Sequence, residues 1–114
     1  MEYVGHNGQV QLLEDRLVIS RKGFVGFLTN GLKGDKTIPF SSITAVQFKN
    51  ASIWTNGYIQ FSVQGGIESR GGIFDATRDE NSVMFRGGEQ QDRFSELKEN
   101  VEKRVFASRN NSST

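Results

Sequence analysis

Residues 46–63 read VQFKNASIWTNGYIQFSV, and the way this stretch folds decides the architecture. Apolar and polar residues alternate on both sides of the Asn56-Gly57 pair. Alternation at a period of two is the signature of a strand with one buried face. Asn and Gly both tolerate positive φ, which a tight type I′ hairpin turn demands. A two-residue loop there sets Thr55 opposite Tyr58 and Trp54 opposite Ile59. Val46, Phe48, Trp54, Ile59, Phe61 and Val63 then share an inner face, and Gln47, Lys49, Gln60 and Ser62 an outer one. Trp54 is thereby expected to pack in the core or at its end, while Ile53 and Tyr58 at the tip escape the pattern.

The same reading extends outward. Residues 9–21, QVQLLEDRLVISR, form two short strands around a Glu14-Asp15 turn. Asn7-Gly8 and Asn30-Gly31 mark further turns, the second joining a strand that ends near Leu28 to one through residues 36–40. Pro39 makes that last segment a sheet edge or a strand end, because it has no amide to donate. Residues 64–72 form a turn-rich connection, and IFDAT and SVMFR flank a charged RDEN turn as another hairpin. From residue 89 the period changes: Phe94, Leu97, Val101 and Val105 fall on one face of an amphipathic helix. Glu89–Arg93 and Glu99–Lys103 are spaced to pair along it.

Residues 1–109 therefore form one domain, with strands between about 9 and 86, a helix over about 89–108 and a disordered tail at 110–114. The fold class is mainly β: a curled antiparallel sheet or small β-barrel of six or seven strands, capped by a C-terminal helix. Thirteen glycines and one proline suit such a turn-rich chain. With no cysteine there are no disulfides or thiolate metal sites, which fits a cytoplasmic protein. The N-terminus has no signal pattern, and no apolar run approaches the roughly 20 residues needed to span a bilayer. A net charge of +1 gives no global attraction to nucleic acid.

In order, the segments GQVQLLEDRLVISRKGFVGFL, GLKGDKTIPFSSITAVQFKNA, NGYIQFSVQGG, DENSVMF and FSELKENVEKR resemble a bacterial family of pleckstrin-homology-like domains of unknown function. Such domains often occur in chains with a short C-terminal oligomerisation segment. The resemblance implies a binding or scaffolding role and no catalytic residues. The chain stops soon after the helix, so self-assembly through such a segment is not expected.

Enzymatic chemistry finds little material. GLKGDKT at 31–37 looks like a phosphate loop, but Asp35 separates Gly34 from Lys36 and TIPF follows as a strand, not a helix. His6 is the sole imidazole and sits in a turn near the terminus, where an exposed or frayed side chain is expected. Asp75, Asp79 and Glu80 lack the alternation of a calcium loop. No catalytic residue, metal or cofactor is expected.

The segment RKGFVGFLTNGLKGDKT at 21–37 carries the candidate site. Phe24 and Phe27 point to opposite faces of a strand, so one enters the core and the other needs a cover: the helix, another hairpin or a partner. Arg21, Lys22, Lys33 and Lys36 surround them, opposed by Asp35. The first expectation is a non-enzymatic adaptor that docks a protein partner, or a copy of itself, through an open sheet edge and this patch. The alternative is a peripheral binder of anionic lipid or a small anion, which the resemblance makes reasonable because early loops of that fold commonly bind phosphoinositides. Capture of a small ligand in the barrel mouth is a third reading.

Overall fold

The computed structural model describes residues 1–21, 35–64 and 80–112. Lys22, Phe24, Phe27, Lys33, the Asn30-Gly31 turn, the IFDAT strand, Asp75 and Asp79 lie outside the described residues. The described chain is mainly β and contains seven strands and one long helix. They are β1 (Glu2–Val4), β2 (Gln9–Leu12), β3 (Arg16–Ser20), β4 (Lys36–Pro39), β5 (Ile43–Lys49), β6 (Gly57–Val63), β7 (Ser82–Phe85) and α1 (Glu89–Ser112).

Two antiparallel sheets result, ordered β1-β2-β3-β4 and β5-β6-β7. In the first, Tyr3, Val10 and Ile19 align across three strands, as do Leu12, Leu17 and Ile38. All six are buried, so the alternation read from residues 9–21 is the core face of this sheet. Pro39 ends β4, an edge strand among the described residues, where a missing amide is tolerated. A 3-10 turn at Phe40–Ser42 carries the chain into the second sheet and buries the Phe40 ring.

No closed barrel forms among the described residues, a correction to the expected β-barrel. Where β1 and β7 approach, a turn and side chains replace a ladder. The His6 amide donates to the Met84 carbonyl at 2.7 Å, and the Met84 amide donates to Asn7 Oδ1 at 2.7 Å. A Cβ on Gly5 would overlap Val83 and the Met84 carbonyl, so glycine permits the approach. His6 is exposed as expected, but its backbone is pinned rather than frayed.

The central hairpin also departs from the expected register. Phe48 pairs with Ile59 and Lys49 with Tyr58, so residues 50–56 form a wide loop. Among the described residues only Gly88 has positive φ, which rules out type I′ turns at Asn7-Gly8 and Asn56-Gly57. Ser52 shapes the loop instead: its Oγ accepts the Trp54 amide at 3.1 Å and the Thr55 amide at 3.0 Å. Trp54 consequently leaves the core and is 86 % exposed. Ile59 and Phe61 are buried inward as read, with Val46, Phe48 and Val63 packed at the margin. Gln60 and Ser62, expected outside, are buried as well. They lie on the middle strand, flanked by Gln47, Ala45 and Ser82 from both neighbours.

Helix α1 buries Phe94, Leu97, Val101 and Val105. Burial of such side chains is worth about 1.5–3 kcal/mol apiece, which makes this stripe a main tie between the sheets. Phe85 stacks on Phe48 and meets Phe94 at a tilt, both at 5.1 Å between ring centres. Polar groups on the helix satisfy strand ends: Arg93 donates to the Glu2 carbonyl, Arg104 to Leu13 and Arg109 to Ile43. Arg93 also pairs with Glu96 rather than with Glu89, and covers the Tyr3 ring at 4.4 Å. The helix runs on to Ser112, past its expected end near 108 and into the stretch expected to be a disordered tail. No helix among the described residues is long and apolar enough to cross a membrane.

Candidate functional site

Strand β5 is rich in β-branched and apolar residues, ITAVQFK, and pairs only with β6 among the described residues. No described strand pairs with its other edge. A register shift between Ile43 and Ala45 bends the strand there. Beside this bend the last turns of α1 pass close enough for Arg109 Nη2 to donate to the Ile43 carbonyl at 3.0 Å.

Between strand and helix lies a groove of about 220 Å³, lined by Ala45, Val46, Glu102, Val105, Phe106 and Arg109 among others. Phe106 is 67 % exposed on its wall. It follows Val105 directly and so falls off the buried 94-97-101-105 stripe, a signal present in the sequence but not used. Glu102 and Arg109 place opposite charges along the groove. The site thus combines strand backbone unpaired among the described residues, an exposed aromatic and two charged side chains.

A second depression, about 410 Å³, lies between Glu14, Asp15 and Pro39 on one side and Arg104 and Ser108 on the other. Arg104 is already held on the Leu13 carbonyl and over the Phe40 ring. Among the described residues, no three of His, Asp and Glu gather to hold a metal.

Of the sequence-derived site residues, Arg21 and Lys36 are described. Both turn toward the start of β7. Arg21 donates to the Ser82 carbonyl and to Asn7, and Lys36 pairs with Glu80 at 3.0 Å. They close the gap between the two sheets. Among the described residues the most exposed large apolar side chains lie elsewhere, at Ile53 (89 %) and Trp54 (86 %) on the β5–β6 loop. Sequence reasoning missed it because the assumed two-residue turn drew Trp54 inward.

A family model described as a domain of unknown function (DUF4429) matches residues 14–102. The match runs from β3 through most of α1. No curated protein and no solved structure matches the chain.

Proposed function

The chain belongs to the DUF4429 family of domains of unknown function, and on that premise we propose that it is a non-enzymatic binding module that docks an extended segment of a protein partner along β5. The observation that carries this reading is the β5 edge, unpaired among the described residues, lying beside an apolar groove with Phe106 exposed on its wall. Open strand edges present unpaired amides and carbonyls, and an added strand satisfies them. Alternate side chains of that strand would fill the groove against Val46 and Phe106. A groove of about 220 Å³ favours one or two side chains over a whole small-molecule ligand.

The arrangement of four strands, three strands and a terminal helix supports a pleckstrin-homology-like curl. Self-association through the same edge would use the same chemistry. The alternative of anionic lipid bound through residues 21–36 has less support from Arg21 and Lys36, whose charged groups are engaged with Asn7, Ser82 and Glu80.

The test is a peptide-display selection on the immobilised protein, followed by anisotropy measurements on the selected peptides. The expected peptides alternate apolar and polar residues, and Phe106→Glu weakens them at least tenfold while thermal unfolding is unchanged. Peptides that bind Phe106→Glu as well as wild type, or amide shifts on binding that bypass β5, would sink the reading.

A further inference from the structure

We infer that the β5–β6 loop is an interfacial anchor that dips Ile53 and Trp54 into an anionic bilayer surface. The two side chains are adjacent, and they are the most exposed large apolar groups among the described residues. They project from a loop that is held from within. The Ser52 amide donates to the Thr55 carbonyl at 2.8 Å, and the Trp54 and Thr55 amides donate to Ser52 Oγ. The Ser52 and Thr55 hydroxyls meet at 3.0 Å. The Ala51 amide donates to Gln91 Oε1 at 2.7 Å, which fastens the loop to the first turn of α1. Four of the loop amides, those of Ala51, Ser52, Trp54 and Thr55, need nothing from outside, and the Ile53 amide is left for the wet headgroup layer. That matters because a lipid phase supplies no acceptors, and each unmet donor would oppose entry. It also argues against strand addition here, which needs free donors.

The chemistry around the tip fits a headgroup layer. Trp prefers the boundary between water and hydrocarbon, where its ring is buried and its N–H stays wet. Asn50, Ser52, Thr55 and Asn56 form a polar uncharged collar around the pair. Residues 43–64 contain no acidic residue, and their one charge is Lys49, exposed at the end of β5. Arg86 lies at the loop's base, where Gly87 approaches Ala51. Exposed Glu89 on the neighbouring turn of α1 offsets one of these charges. Apolar contact therefore carries the attraction, and Lys49 tilts it toward anionic lipid. One such signal gives weak, reversible attachment. The reading is independent of the β5 groove. That groove adjoins residues 102–109, about 20 Å along α1 from Gln91 at 1.5 Å per residue, so both surfaces can be occupied together.

Trp54 is the sole tryptophan, so its emission reports the contact directly. The probe is vesicles of phosphatidylglycerol in phosphatidylcholine, with emission and cosedimentation read on the full chain. Expected is a blue shift on vesicle addition, and cosedimentation that falls on the order of tenfold in Trp54→Ala. Lys49→Glu reduces binding to the anionic vesicles and leaves binding to pure phosphatidylcholine unchanged. The variants keep the wild-type unfolding temperature, because the side chains changed are exposed. Emission that stays at its solvent-exposed position at every vesicle concentration overturns the proposal. So does cosedimentation that survives Ile53→Ser combined with Trp54→Ala.

Discussion

The main-chain amide of Met84 donates to the side-chain oxygen of Asn7 at 2.7 Å, joining β7 to the β1–β2 turn without a ladder. The same oxygen accepts from Arg21 at 3.4 Å, so one amide side chain closes the β7 edge and orients the guanidinium that holds Ser82. Asn7→Ala leaves the Met84 amide without its acceptor. The expected cost is about 1–3 kcal/mol, read as a lower urea midpoint with unchanged slope. Asn7→Asp keeps an acceptor beside Arg21 and should retain most of the stability. An Asn7→Ala protein as stable as wild type would remove this closure from the account.

Gly57 has a different task from the one its sequence suggests. Next to Asn56 it looks like the positive-φ residue of a tight turn, yet it has no positive φ. Its role is steric: a Cβ there would overlap the Lys49 carbonyl, the Phe85 ring and the Ala51 amide. Gly57→Ala must push β5 from β6 or displace Phe85, which packs between Phe48 and Phe94. Overpacking of this kind costs roughly 1–3 kcal/mol. Thermal unfolding should show it, and Gly87→Ala, whose Cβ would meet only Ala51 at an ordinary distance, should show little.

These two residues mark where the fold was legible and where it was not. The helix stripe and the β2–β3 hairpin were readable because burial imposes a period on side chains, and Phe94, Leu97, Val101, Val10, Leu12, Leu17 and Ile19 obey it. Strand β1 was missed because three residues are too few for a period to show, although Tyr3 is fully buried. The register of β5 on β6 was misread because a turn motif was given more weight than a serine able to fold the loop by side-chain hydrogen bonds. The charges at Arg21 and Lys36 were visible in sequence, but their partners at residues 80–82 come from far along the chain. The groove was the least legible feature. It depends on α1 passing beside β5, and no local pattern encodes that crossing.

Ser82 offers a test of opposite sign. It is fully buried on β7, and its hydroxyl has no partner among the described residues. The Arg21 bond uses its carbonyl, which any residue supplies. Ser82→Ala removes an unpaired buried hydroxyl and keeps the backbone contact. It should be neutral or stabilise by up to about 1 kcal/mol, seen as a higher urea midpoint. A clear loss of stability would mean that the hydroxyl has a partner after all.

Leu97 and Phe106 separate the structural face of α1 from the face available for docking. Leu97 is fully buried in the stripe, whereas Phe106 is 67 % exposed on the groove wall. Leu97→Ala should cost about 2–5 kcal/mol, since it removes apolar contacts and leaves a cavity between helix and sheets. Phe106→Glu should change stability by no more than about 0.5 kcal/mol, the usual range for an exposed site away from caps and cores. It places a carboxylate four residues after Glu102 and three before Arg109, so a small repulsion and a small attraction offset each other. Urea denaturation of both variants alongside wild type decides the matter. If Phe106→Glu unfolds as readily as Leu97→Ala, Phe106 belongs to the packing of the domain and the groove loses the aromatic that defines it.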